Sequence, residues 1–77
     1  MKVKVIVTLK KGVLDPQGKA IQQTLNGMSF ASVNEVRQGK YFEIEVNEKE
    51  ETKAKSIVGE MCEKLLANLV IEDYKII

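Results

Sequence analysis

The chain has 77 residues, among them a single cysteine and no histidine. A chain of this length forms one domain, residues 1–77, whose core alone gives marginal stability, so we expect at least a dimer and leave a tetramer open. The 12 basic and 11 acidic side chains nearly cancel, which argues against nucleic acid or an anionic membrane as a partner. Without histidine, and with one cysteine, no disulfide, metal site or cofactor site is expected.

The first predicted element is a strand over Lys2–Lys10. Valines alternate with polar residues in "MKVKVIVTLKK", which is the pattern of a strand with one buried face. This alternation differs from the apolar block of a signal peptide, and no run approaches the roughly 20 apolar residues of a membrane span. We therefore expect a cytoplasmic protein.

A helix is predicted over Pro16–Asn26, within "VLDPQGKAIQQTL". Asp15 occupies the N-cap position, and Pro16 fits the first helical position because its missing N–H needs no partner there. The same helix start could attract a phosphate, but "DPQGKA" lacks the glycine spacing of a P-loop and Asp15 would repel an anion. The helix start is the favoured interpretation.

Two strands are predicted next, over Ser32–Gln38 and Lys40–Val46, joined by a tight turn at Gln38 and Gly39. Arg37 and Lys40 would flank this protruding hairpin turn, and Tyr41 would lie beside it on the open face of the sheet. These three residues, Arg37, Lys40 and Tyr41, are the predicted contacts with a partner protein. An RNA-binding interpretation of "GKYFEI" is disfavoured, because Tyr41 shares its face with two glutamates.

A long second helix is predicted over Glu50–Asn68, followed by a fourth strand in "VIEDYKII". Apolar residues recur along this helix at helical spacing. Cys62 lies on the apolar stripe and is interpreted as a core residue, since no histidine is present to activate it.

The predicted order βαββαβ indicates an α+β fold. Right-handed crossovers would place both helices on one face of an antiparallel sheet, in a ferredoxin-like arrangement or a close variant. The other sheet face, with Ile6, Thr8 and Tyr41, and the sheet edges are then the expected places for a second copy to bind.

Three stretches resemble one known family. "VLDPQGKAIQQTL", "VNEVRQGKYFEIEV" and above all "MCEKLLANLVIEDY" are similar to the small S subunit (PurS) of phosphoribosylformylglycinamidine synthase. The resemblance extends over essentially the whole chain. Leu69 stands where many members of the family have proline, which affects the expected local geometry only.

The resemblance implies a non-catalytic assembly subunit in de novo purine biosynthesis. In such systems an ATP-dependent large synthetase subunit makes the amidine, a glutaminase subunit supplies ammonia, and the S subunit is a dimer that bridges the two and assists ammonia transfer. The alternative from the residues alone is a stand-alone ferredoxin-like ligand-binding or regulatory module, with the start of the first helix as its anion site. Neither interpretation gives the isolated chain a catalytic residue.

Overall fold

The computed structural model describes all residues from Met1 to Ile77. The elements in chain order are β1 (Lys2–Leu9), α1 (Pro16–Gly27), β2 (Gly39–Glu45), α2 (Glu51–Met61), a π-helical turn (Cys62–Leu66) and β3 (Glu72–Ile76). No helix combines the length and the apolar character needed to cross a membrane.

The three strands form an antiparallel sheet in the order β2-β1-β3. The central strand β1 pairs with both neighbours, so that Ile6 lies opposite Tyr41 on one side and Lys75 on the other. Val3, Val5 and Val7 are buried, and Lys2, Lys4 and Ile6, which alternate with them, are exposed, as the alternation predicts.

The core lies between the valine face of β1 and the helix α2. It is small: its buried members are Val3, Val5, Val7, Val46, Ala54, Val58, Cys62 and Ala67. Phe42, Ile44, Leu66, Tyr74 and Ile76 pack around it and are partly buried. The predicted α+β class, with an antiparallel sheet and two helices, is confirmed.

The segment predicted as the second strand, Ser32–Gln38, is not part of the sheet. The predicted turn at Gln38 and Gly39 is also wrong, because Gly39 begins β2 and has no positive φ. Gly39 serves a close approach instead: a Cβ built there would lie 2.7 Å from the carbonyl oxygen of Val7 on β1. The chain therefore enters the sheet without folding back on itself, and Ser32–Gln38 leads away from β2.

The sequence predicts that both helices pack on one face of the sheet, but α1 does not pack there. No hydrophobic residue of α1 is among those that form the core or pack against it. The molecule measures 49 × 23 × 14 Å, whereas a strand of the length of β1 spans only about 27 Å. The physical reason is the missing turn at Gln38: the segment before Gly39 leads away from β2 and does not fold back to pair with it.

The second predicted helix, Glu50–Asn68, divides into two parts. Its α-helical hydrogen bonding ends at Met61, and Cys62–Leu66 continues as a π-helical turn in which the Ala67 N–H donates to the Cys62 carbonyl oxygen at 2.9 Å. The wider turn keeps Cys62 buried and leaves Leu65 83% exposed. Of the last predicted strand, Glu72–Ile76 forms β3.

Candidate interaction surfaces

Two segments connect α1 to the sheet, one coming from β1 and one leading to β2, and the carboxylate of Asp15 lies where they meet. Its Oδ1 accepts a hydrogen bond from the Gly18 N–H at 2.9 Å, which caps α1, and its Oδ2 accepts one from the Gln38 N–H at 2.7 Å. Asp15 is only 6% exposed. These two hydrogen bonds, first that from Gln38 and then that from Gly18, hold the pKa of Asp15 below its ordinary value.

Arg37 completes this arrangement from the other connection. Its guanidinium donates to the carbonyl oxygens of Val13 at 2.9 Å and Lys10 at 3.2 Å. Asp15 and Arg37 thus each tie one connecting segment to the other. We call this cluster of Lys10, Val13, Asp15, Arg37 and Gln38 the joint.

Beyond the joint, α1 and the extended segment 30–38 hold together as one unit. Near one end, the Asn26 amide donates to the carbonyl oxygens of Phe30 at 3.0 Å and Val33 at 3.2 Å. Near the other end, a Cβ on Gly18 would overlap the carbonyl oxygen of Val36, so only glycine fits there. We call this unit, residues 16–38, the arm.

The arm carries an apolar face that no other part of the chain covers. Ala20, Ile21, Thr24 and Leu25 line a shallow concavity on α1. Ile21 is 42% exposed and Met28, just after the helix, is 61% exposed. An amphipathic helix in a soluble protein ordinarily buries such a face.

A second uncovered apolar surface lies beside α2. It is a groove of about 460 Å³ lined mainly by Ile44 of β2 and by apolar residues of the second helix and the π-helical turn. The full lining is Ile44, Ile57, Glu60, Met61, Lys64, Leu65 and Leu66. Apart from one ion pair on its rim, Glu60 with Lys64 at 2.9 Å, the groove is a surface suited to an apolar partner.

The open face of the sheet is polar by contrast. Ile6 is 37% exposed and Tyr41 52% exposed, but charged side chains surround them. The Lys2 Nζ lies 3.6 Å from Oε2 of Glu43, and the Tyr41 hydroxyl donates a hydrogen bond to Oε1 of Glu43 at 3.0 Å. Partial burial and this bond raise the pKa of Tyr41. The face is already paired within the chain and resembles an ordinary solvated surface.

The structure separates the three predicted contact residues. Arg37 is bound into the joint and does not protrude, since the hairpin on which that prediction was based is absent. Lys40 is exposed, with its ammonium 3.6 Å from Glu72. Tyr41 is exposed on the open face.

Cys62, the other chemically distinctive residue, is fully buried among the core residues. Burial is also the main cause that raises the pKa of its thiol. A buried thiol whose thiolate is disfavoured is a poor nucleophile. No group of three or more metal-ligating side chains occurs in the structure.

Comparison with known proteins agrees with the resemblance in the sequence. The family model described as "PurS: Phosphoribosylformylglycinamidine (FGAM) synthase" matches residues 2–77. The chain belongs to the PurS family. It is 55% identical over 74 residues to the subunit PurS of Bacillus subtilis (strain 168), a match that covers 96% of this chain and 87% of the relative.

Solved structures of PurS proteins have the same fold. The crystal structure of Methanocaldococcus jannaschii PurS superposes with a TM-score of 0.88 at 51% identity, covering 99% of this chain and 92% of that one. A chain in the structure of PurLQS from Thermotoga maritima gives a TM-score of 0.86 at 33% identity, covering 100% of this chain and 96% of that one. These superpositions cover nearly the full length of the chain, so they include both the sheet and the arm.

The sequence contains a signal for the groove that our interpretation missed. Ala54, Val58 and Cys62 form the buried stripe of the second helix, while Ile57, Met61 and Leu65 form a parallel stripe beside it. Two apolar stripes are wider than one small sheet can cover. That width means that part of the second helix stays uncovered by the sheet of its own chain.

Proposed function

We propose that this chain is the non-catalytic assembly subunit of a phosphoribosylformylglycinamidine synthase in purine biosynthesis, acting in the cytoplasm. Its partners would be a glutaminase subunit and an ATP-dependent synthetase subunit, and its role would be to bridge them and assist ammonia transfer. The full-length match to the PurS family carries this proposal. A related chain in the structure of PurLQS from Thermotoga maritima supports a role within a complex.

The local chemistry supports an assembly role over a catalytic one. The one cysteine is buried, and the most buried carboxylate is engaged in two backbone hydrogen bonds. Two of the uncovered surfaces, the groove and the face of α1, are apolar. The start of α1 is occupied by the Asp15 carboxylate, which repels an anion. No observation favours the alternative of a stand-alone ligand-binding module.

The test is amidine formation in the reconstituted complex with each of two nitrogen sources. Leaving out this chain should abolish synthesis from glutamine, because ammonia would no longer pass from one subunit to the other. Synthesis from added ammonium salts should largely persist, because the synthetase keeps its own ATP and substrate sites. Equal loss with both sources would mean that the chain supports the synthetase site, and no loss with either would contradict an assembly role.

We also propose that the chain functions as a dimer at least. The core is small, and two apolar surfaces lie uncovered on each copy. Light scattering at micromolar concentration tests this proposal. A stable, fully folded monomer would contradict it.

Lys40 and Tyr41, with Arg37 behind them in the joint, remain our candidates for contact with a partner subunit. Rim charges steer association more than they add affinity. Lys40→Gln should therefore slow binding of the partner subunits while the homodimer stays folded. Lys49→Gln, at an exposed lysine of the β2–α2 connection, is the matched control. Equal binding rates for the two variants would remove Lys40 from the contact.

A further inference from the structure

The far end of the arm is a chain reversal that the side chain of Asn26 holds closed. Helix α1 ends at Gly27, and Ser29 then has a φ of 78°, a left-handed conformation that is unfavourable for a residue with a Cβ atom. Beyond this turn, the Asn26 Nδ2 donates to the carbonyl oxygens of Phe30 at 3.0 Å and Val33 at 3.2 Å. These two hydrogen bonds offset part of the cost of the turn. We call the pair of hydrogen bonds the clamp.

Asn26 is followed directly by Gly27, and an Asn-Gly peptide is chemically labile. The backbone nitrogen of Gly27 attacks Cγ of Asn26, and the new C–N bond closes a cyclic imide. The bond from Cγ to Nδ2 breaks, and ammonia leaves with the proton of the Gly27 N–H. Water then opens the imide at either carbonyl and leaves aspartate or isoaspartate. Glycine hinders this attack least because it has no side chain, whereas the other asparagines of the chain precede glutamate or leucine.

The folded arm opposes this reaction. Gly27 is the last residue of α1, so its nitrogen lies in helical backbone and is not free to turn towards the Asn26 side chain. The Asn26 amide is at the same time fixed by the clamp. Attack therefore requires the last turn of α1 to unwind and the clamp to open. Helix ends open more readily than whole domains unfold, so the reaction needs only local opening.

The product of deamidation is unable to form the clamp again. A carboxylate has no N–H to donate, and here it would place negative charge against the carbonyl oxygens of Phe30 and Val33. It would also lie at the C-terminal end of α1, where the helix dipole disfavours an anion and the last turn contains no basic residue. Isoaspartate in addition lengthens the main chain at this point. Either product leaves Ser29 in its unfavourable conformation without the clamp.

We propose that Asn26–Gly27 is a self-modification site, at which spontaneous deamidation removes the clamp and leaves the end of the arm open. The closed clamp protects the site, so the chains that react are those whose arm has opened. Deamidation then makes the opening permanent. This chemistry does not depend on the function proposed above, because it uses only the chain itself and water.

The first test compares the folded chain with its own tryptic peptide 20–37, which contains both Asn26 and Asn34. Both samples are incubated at neutral pH, and aspartate and isoaspartate are counted by peptide mapping. Asn26 should react about tenfold or more slowly in the folded chain than in the peptide, because the folded arm must first open. Asn34, which precedes Glu35, is the internal reference and should react far more slowly than Asn26 in the peptide. Equal rates for Asn26 in chain and peptide, or an inert Asn26 in the peptide, would overturn the proposal.

The second test changes the stability of the reversal without touching the reacting residues. Glycine tolerates a positive φ and a β-branched residue does not. Ser29→Gly should therefore slow deamidation of the folded chain, and Ser29→Val should speed it, by up to about tenfold. Peptides 20–37 with the same substitutions correct for any direct effect on the chemistry. Equal corrected rates for the two variants would show that the reversal does not control the site.

The third test blocks the reaction and keeps the clamp. At Gly27 the φ is not positive and a Cβ would meet nothing within 4 Å, so the fold accommodates Gly27→Ala. Its methyl group hinders the attack on Asn26. After long incubation the wild-type chain should contain a deamidated fraction, and Gly27→Ala should contain little. A variant that deamidates at Asn26 as fast as the wild type would contradict the mechanism.

The fourth test measures what the product does to the arm, in Asn26→Asp. In the intact arm the Phe30 N–H donates to the Leu25 carbonyl oxygen at 3.0 Å, and the Val33 N–H donates to that of Phe30 at 3.2 Å. Hydrogen exchange of these two amides should be at least several times faster in Asn26→Asp than in the wild type. Asn34→Asp makes the same charge change at an exposed position of the arm and should leave their exchange nearly unchanged. Wild-type protection in Asn26→Asp, or equal loss in both variants, would overturn the assignment of the clamp.

Discussion

At the scale of single residues, the structure uses Asp15 for more than its place in the sequence predicts. "DP" before a helical pattern indicates a cap, and Asp15 does accept the Gly18 N–H. Nothing local indicates the second bond, from Gln38, because it joins residues 23 positions apart. A carboxylate that accepts two backbone N–H groups is stabilised in its charged form.

We therefore predict that Asp15 makes stability depend on pH. Its pKa in the folded chain lies below that in the unfolded chain, so its contribution is fully present above the unfolded value, about 4, and is lost as the pH falls through the folded value. Thermal unfolding between about pH 6 and pH 2.5 measures this. Asp15→Asn should have a lower midpoint at neutral pH and a flatter acid limb, and superimposable acid limbs would contradict the prediction.

Two helical glycines should respond oppositely to alanine. At Gly59 a Cβ would meet the Tyr74 hydroxyl at 3.7 Å, an ordinary contact, so Gly59→Ala should raise stability by about 0.5 to 1 kcal/mol. At Gly18 the Cβ would overlap the Val36 carbonyl oxygen, so Gly18→Ala should lower stability by about 1 to 3 kcal/mol. Urea unfolding of both variants is the measurement, and a stabilised Gly18→Ala would show that the arm does not pack as described.

Cys62 should matter for stability and not for chemistry. Its side chain is fully buried, so a serine hydroxyl there should cost about 1 to 3 kcal/mol for want of a good partner. The native thiol should react with an aromatic disulfide reagent only when the protein unfolds. Loss of amidine synthesis in Cys62→Ser at unchanged thermal stability would contradict this assignment.

At the scale of elements, the sequence pattern predicts those strands and helices whose formation depends on residues close together in the chain. The strand Lys2–Leu9 and the helix from Pro16 follow directly from spacing and capping, and both are observed. The error at Ser32–Gln38 has a different source: extended, β-branched segments look the same whichever sheet they pair with. Local propensity fixes the extended form, and only the tertiary or quaternary context decides the pairing.

The same distinction applies to α1, whose apolar face is evident in the sequence although its binding partner is not. Because most helical stability comes from packing of that face, we predict that α1 is ordered only in the dimer. Hydrogen exchange of the amides of residues 19–27 should be slow at high protein concentration and fast on dilution. The amides of Ala54–Val58 in α2 serve as the internal reference, and dilution should affect them less. Equal loss of protection in both helices would mean that the arm and the core unfold together.

At the scale of the whole molecule, the candidate surfaces could be predicted only in part. Two apolar stripes along the second helix already indicate a partner, but the groove exists only because α1 is elsewhere. The joint, in turn, depends on side chains that reach across 23 to 27 positions of the chain. Such contacts leave no periodic trace in the sequence, which is why the sequence predicts Arg37 as a protruding partner contact and not as part of the joint.

The shape of the molecule leads to a last prediction, on the coupling of folding to association. One copy has a radius of gyration of 15.9 Å, against about 11 to 12 Å for a compact chain of this length, and its core contains only eight buried residues. Most of the missing burial would come from a second copy, so unfolding should also separate the copies. By mass action, a tenfold rise in protein concentration then stabilises the folded dimer by about 1.4 kcal/mol.

Calorimetry over a hundredfold range of concentration measures this coupling, and the midpoint of unfolding should rise by several degrees across that range. Wild-type protein whose midpoint does not move would mean that the core of a single copy is sufficient, and that the uncovered arm and groove serve only the larger complex.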